Sequence, residues 1–314
     1  MKKSLCFIMT VLFALNFLSA KTKIITTIFP LYDWAREVTN SNDVELTLLL
    51  DNGVDLHSYN PTIQDIAKIS KCDIFIYVGG ESDSWVNDIL KSIRNKKMQV
   101  VNLMEVMGEN AKAEEIKEGM QAEEEEHEES DEDEEEELDE HVWLSLRNAQ
   151  LLTGAICEAI CTVDSKNASY YKSNCEAFVK KLSALDKEYI QATQNANVKT
   201  LVFGDRFPFR YLVDDYNLDY YAAFVGCSAE SEASFKTVAF LSNKIDELKL
   251  NNVFVIETSD KKIAKTIINN SKNRNRKILV LNSMQSAASK DVQKGMTYYS
   301  IMQENLAVLK EGLE

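Results

Sequence analysis

His57, His127 and His141 are the only imidazoles in 314 residues, and two of them stand where side chains can do chemistry. His57 lies in DNGVDLHSYNPT, directly before a helix start. His141 lies in DEHVWLSL, directly before a helix that Ser145 is placed to cap. Loops that lead into helices are where an α/β lobe turns side chains toward a cleft. Zinc favours imidazole nitrogen, and Asp or Glu can complete a tetrahedral set. The two histidines are 84 residues apart, which is no local metal motif. Spacing alone therefore leaves open that each is a helix-entry residue satisfied by hydrogen bonds.

Three strand-like runs in the second half end on a polar residue. TLVFG is followed by Asp205, NNVFVIE ends at Glu257, and KILVL is followed by Asn282. Ligand crevices of α/β folds lie beyond the carboxyl ends of strands, so these three are candidates to meet the histidines. Asp205 and Glu257 could equally pair with Arg206, Arg210 or Lys261. Catalytic signatures are missing: the chain has no G-x-S-x-G, P-loop, G-x-G-x-x-G or H-E-x-x-H. No pair of carboxylates is singled out for acid–base work.

The elements that must position these residues follow from the alternation of short β-rich runs with helical periodicity. Strands are expected at Lys23–Phe29, Val44–Leu50, Asp73–Gly79 and Gln99–Leu103, then at Thr200–Gly204, Asp219–Phe224, Asn252–Glu257 and Lys277–Leu281. Four and four, with helices between, predict two α/β lobes: residues 21–165 and 198–314. Asn60-Pro61 reads as an N-cap followed by proline at the first helical position. Between the halves, residues 166–197 carry buried-type side chains at Tyr171, Cys175, Phe178, Leu182, Leu185 and Tyr189. Steps of four and three make this an amphipathic helix of about 28 residues, roughly 40 Å long. With no Pro or Gly inside it, it should be a stiff link.

The formal charge is −15, and residues 123–140 hold 15 carboxylates with no Lys or Arg. The rest of the chain is neutral overall, which argues against a nucleic-acid surface. The run is low-complexity, and a surface loop over about 109–140 is expected. Residues 1–20 read as a charged n-region, an apolar stretch and a small residue at Ala20, a leader for export. No cysteine closes that stretch, so a lipid anchor at that point has no acceptor. Beyond the leader five cysteines remain (Cys72, Cys157, Cys161, Cys175 and Cys227). An odd number cannot close a disulfide framework. Cys157 and Cys161, one helical turn apart, read as small buried side chains.

Several of these segments together resemble a known family. IITTIFPLYDWAREV, VDLHSYNPTIQDIAKISKCDIFIYVGG, the charged loop, EHVWLSLRNAQ, the long helix and VFGDRFPFRYLVDDYNL are similar to the metal-binding solute receptors of zinc and manganese ABC importers. The resemblance covers essentially the whole chain after the leader. It implies a metal cleft between two four-stranded α/β lobes joined by one rigid helix. The family's first two ligands fall on His57 and His141. The third, a His or Glu, falls on Gly204 and is missing, and the fourth, an acidic residue, falls near Asn282. Asp205 or Glu257 is the expected substitute. Within the loop only His127 stands among the carboxylates. The reading that results is an exported monomeric receptor, not an enzyme, that passes Zn²⁺, or alternatively Mn²⁺, to an ABC permease. The alternative from another class is an adhesin-like surface protein of the same fold with a degenerate metal site. A hydrolytic metalloenzyme would need an open coordination position and a general base, and no base motif is present.

Overall fold

The computed structural model describes residues 21–41, 43–121, 137–228 and 232–314. The leader and His127 lie outside the described residues. All eight expected strands form: β1 Thr22–Thr26, β2 Val44–Leu48, β3 Ile74–Tyr77, β4 Gln99–Asn102, β5 Thr200–Phe207, β6 Asp219–Val225, β7 Asn252–Ile256 and β8 Lys277–Leu281. They make two four-stranded sheets of one plan, ordered β2-β1-β3-β4 and β6-β5-β7-β8, with every pairing parallel. Parallel strands need crossovers, so helices cover both faces and the central strands must be apolar throughout. IFIY of β3 and NVFVI of β7 are buried at every position.

The connecting helix spans Ala168–Gln194 and buries Tyr171, Cys175, Phe178, Leu182, Leu185, Tyr189 and Thr193, the stripe its periodicity predicts. Its first half is tied to the N-terminal lobe, where Tyr170 Oη donates to Asn40 O at 3.0 Å and Asn174 Nδ2 to Val38 O at 3.0 Å. Its last turns are tied to the other lobe: Tyr189 Oη donates to Met302 O at 2.6 Å, and its ring stacks on Tyr216 at 4.9 Å. One continuous apolar cluster runs from the first sheet through this helix to Phe203, Phe254 and Leu281 of the second sheet. A packed core does not deform continuously, so the two lobes are coupled by more than a tether. Among the described residues no helix is long and apolar enough to cross a membrane.

Two local expectations are corrected. The helix after His57 begins at Ile63, not at Pro61. Thr62 accepts from Asp65 N while Asp65 accepts from Thr62 N, and this capping box outcompetes the Asn60 cap because it satisfies two end donors at once. Part of the segment expected as a loop over about 109–140 is instead packed against the protein. Residues 111–121 lie along the second lobe: Lys112 N donates to Tyr211 Oη at 3.0 Å and Gln121 N to Ala223 O at 2.9 Å, while Lys117 pairs with Asp219 at 3.1 Å. At the far end Glu114 N donates to Glu137 O, and Asp139 and Glu140 are buried. Of the expected loop, residues 122–136 lie outside the described residues.

Candidate metal centre

Most residues of the site follow the carboxyl end of a strand, whereas Asp139, Glu140 and His141 lie just before the 3₁₀ turn that enters a helix. After β2 the chain makes a short 3₁₀ turn, Leu56–Ser58, begun by Asp55, whose side chain accepts from His57 N at 3.1 Å. Ser82 follows β3. His141 precedes the 3₁₀ turn Val142–Leu144 and the helix Leu146–Val163. Ser145 caps that helix by accepting from Arg147 N and Asn148 N, as expected. From the second lobe, Gly226 and Cys227 follow β6, Glu257 follows β7, and Asn282, Ser283 and Gln285 follow β8.

The two imidazoles expected to meet do so. His57 Nε2 and His141 Nε2 lie 3.1 Å apart. Two nitrogens on one tetrahedral zinc, each about 2.0–2.1 Å from it, are separated by about 3.3 Å, so the pair stands close to a ligand edge. Their outer nitrogens are held in turn. His141 Nδ1 donates to Asp139 Oδ1 at 3.0 Å, and His57 Nδ1 meets Ser82 Oγ at 2.7 Å. Glu140 Oε1 fixes that serine by accepting from its backbone N at 2.8 Å. Such outer partners set the tautomer and leave Nε2 as the lone-pair atom. Gln285, almost fully buried, agrees with this: its Nε2 donates to both imidazole Nε2 atoms at 2.8 Å. A donor amide aimed at two acceptors occupies the place of a cation. Burial, then His141 and Arg206, pull the His57 pKa down to about 2, so this imidazole is neutral and available as a ligand.

Among the described residues, one group of His, Cys, Asp and Glu side chains has ligand atoms close enough to share a metal ion: His57, His141 and Cys227, all within 4.8 Å of one another. The structure places the other candidates elsewhere. Glu257 is spent on the β8 turn, accepting from Ser283 N at 2.7 Å and Ser283 Oγ at 2.9 Å, and burial raises its pKa. Asn282 Oδ1 accepts from Met284 N, and the Asn282 backbone exchanges hydrogen bonds with Asn305. Asp205 lines a neighbouring cavity of about 360 Å³ with Asp55, Ser58, Arg206, Thr258 and Ser259. At Gly204 an added Cβ would lie 2.6 Å from Ala264 Cα, so that position can carry no ligand. Arg206 instead crosses the cleft to pair with Asp55 and clamps the turn that bears His57.

Sequence reasoning passed over several participants, Ser82 and Gln285 among them. Cys227 was one cysteine among five, with no ligand spacing around it. Asp139 and Glu140 were counted in the acidic run, although their position directly before His141 was the available signal. Carboxylates also set the electrostatics: burial, with Glu114, Glu140, Asp139 and Glu137 nearby, pushes the Cys227 thiol far up. A site that penalises added negative charge favours a cation.

Residues 24–312 match the profile of a family described as "Zinc-uptake complex component A periplasmic". The zinc-binding protein AdcA of Streptococcus pyogenes is 28% identical over 294 residues, 92% of this chain and 56% of that protein. The chain thus spans about half the length of such curated relatives. The high-affinity zinc uptake system protein ZnuA of Bacillus subtilis is 31% identical over 93% of this chain and 88% of its own. The Zn(II)-bound ZnuA-like domain of Streptococcus pneumoniae AdcA superposes with a TM-score of 0.73 at 26% identity, covering 93% of this chain and 99% of the domain.

Proposed function

This chain belongs to the zinc-uptake complex component A family, and from that membership we propose that it is an extracytoplasmic receptor that captures one Zn²⁺ between its lobes. It hands the ion to the membrane permease of an ABC importer. The observation that carries the reading is the pair of Nε2 atoms 3.1 Å apart, each backed by an outer-shell acceptor. Two imidazoles donated by different loops of one lobe supply half of a tetrahedral zinc shell.

The protein does no chemistry on its cargo. Function rests on affinity and release. Residues of the second lobe close the shell from above, through Gln285 on the imidazoles, Arg206 on Asp55, and Trp143 Nε1 donating to Ser283 O at 2.8 Å. Small shifts of that lobe therefore change the shell directly, and the shared core keeps such shifts small. Delivery requires the permease to pull these cross-cleft contacts apart. The acidic stretch raises the local concentration of cations without binding one specifically.

The test is native mass spectrometry of metal-stripped protein titrated with Zn²⁺ and Mn²⁺, with competition against a chromophoric chelator. One tight zinc equivalent is expected, and His57→Ala or His141→Ala should each lower its affinity at least about tenfold. Zinc binding at wild-type strength by both variants would place the site elsewhere.

A further inference from the structure

Two histidines are an incomplete zinc shell, and the residues expected to complete it are engaged in other bonds. On this ground we infer that the Cys227 thiolate is the third protein ligand, making a His₂Cys centre. The inference rests on the zinc-capture reading above and deepens it. Its ground is geometric: Cys227 Sγ, His57 and His141 ligand atoms all lie within 4.8 Å of one another. In a tetrahedral zinc site with Zn–S of about 2.3 Å and Zn–N of about 2.0–2.1 Å, sulfur and nitrogen are about 3.6 Å apart. The 4.8 Å limit exceeds that edge by about 1.2 Å, so closing onto the ion asks the ligand atoms for a shift of that order. Cys227 lies beyond the end of β6 and outside any helix.

The local backbone is built for that approach. Gly226 presses on the His141 ring so closely that an added Cβ would sit 2.8 Å from Cε1 and 3.1 Å from Nδ1. Only a glycine lets the β6 turn come near enough to deliver the next side chain to the imidazoles. The same turn is braced from outside by Gln121, whose N bonds Ala223 O, so the strap 111–121 and the ligand loop share one support. Cys227 is not in a disulfide. On binding, the S–H bond breaks, the proton leaves to solvent, and the sulfur lone pair forms the S–Zn bond. Gln285 must withdraw its amide nitrogen, since both imidazole lone pairs turn to the metal.

A thiolate changes which ions the receptor accepts. Sulfur suits Zn²⁺ and softer ions such as Cd²⁺, whereas Mn²⁺ prefers oxygen. Cys227 is then the residue that decides between Zn²⁺ and Mn²⁺, and it does so without a carboxylate in the shell.

Cobalt(II) is the probe, because only sulfur bonded to cobalt gives an intense near-ultraviolet charge-transfer band. Metal-stripped protein should bind one equivalent of Co²⁺ with that band. Cys227→Ser should lose the band and bind zinc at least about tenfold more weakly, with the ratio of Cd²⁺ to Zn²⁺ affinity falling as well. Cys227→His, which restores a nitrogen donor, should recover zinc binding without the band. Zinc should also shield Cys227 from alkylation by iodoacetamide, read by peptide mass. One equivalent of cobalt that depends on His57 but shows no sulfur band overturns the thiolate ligand and leaves zinc capture standing. Cobalt and zinc binding that is absent, or indifferent to His57→Ala, overturns both.

Discussion

Gly226→Ala is a one-methyl perturbation whose cost can be worked from the contacts around it. The new Cβ would stand 2.8 Å from His141 Cε1 and 3.0 Å from Phe207 O. Non-bonded carbons rest at about 3.5–4.0 Å, so the ring must retreat by about 0.7 Å or the β6 turn must lift by as much. The ring has nowhere to go, since it is fully buried and tied through Nδ1 to Asp139. Phe207 O is backbone. Overpacking of this kind costs about 1–3 kcal/mol of stability. Metal affinity suffers separately, because ligand distances tolerate only about 0.2 Å. Both His141 Nε2 and the Cys227 loop are displaced at once, and disturbed ligand orientation costs about 10–100-fold in affinity. Thermal melts of metal-free protein and chelator competition for Zn²⁺ read the two effects. Gly154→Ala is the control: it lies in the helix Leu146–Val163 with nothing within 4 Å of an added Cβ. It should gain about 0.5–1 kcal/mol and leave zinc binding alone. A folded Gly226→Ala protein that binds zinc within about twofold of wild type would refute the packing argument.

Other perturbations probe the surroundings of the site. Gln285→Leu removes the donor that caps both imidazoles and carries no metal donor of its own. It should destabilise metal-free protein by about 1–3 kcal/mol for the unpaired lone pairs, with the gap to wild type closing in saturating zinc; an unchanged metal-free melt would refute the capping role. Asp83, whose pKa burial lifts to about 7 against hydrogen bonds from Gly79 N and Val78 N and with Glu140 beside it, titrates earlier when unfolded. The folded state therefore holds the extra proton between about pH 4 and 7, and stability is lost as pH rises through that window. Asp83→Asn removes this pH dependence, so its stability relative to wild type should rise by about 2 kcal/mol from pH 5.5 to 8. A gap between the two proteins that stays constant with pH would refute the assignment.

Much of the fold was legible because it depends on local pattern. Each strand is a short β-rich run bounded by helical periodicity, and all eight lie where the runs predict, with ends shifted by a few residues. The connecting helix follows from its four-and-three spacing alone, since that stripe has one way to be buried. His57 and His141 were identifiable by type and by their place before helix starts. Pattern failed where one short segment has two plausible uses. Asn60 before Pro61 looks like the cap, and the reciprocal Thr62–Asp65 bonds placed it at Thr62 instead. Within the acidic run, composition describes the average residue, yet Asp139 and Glu140 are individually buried against His141 and Ser82.

What tertiary structure alone decided is which polar residue at each strand end faces the cleft and which turns back to its own lobe. Glu257, Asn282 and Cys227 all follow strands of the second sheet, and nothing in their spacing ranks them. Glu257 is drawn to the Ser283 amide and hydroxyl, and Asn282 to its own turn and Asn305, because buried polar groups take the nearest partners that satisfy them. Cys227 reaches the imidazoles because Gly226 lets its turn close on His141. Sequence determines the order of elements through interactions a few residues apart. The shell of a metal depends on contacts across 84 to 170 residues of chain, from His57 to His141 and to Cys227, and only the packing of two sheets around one core sets those.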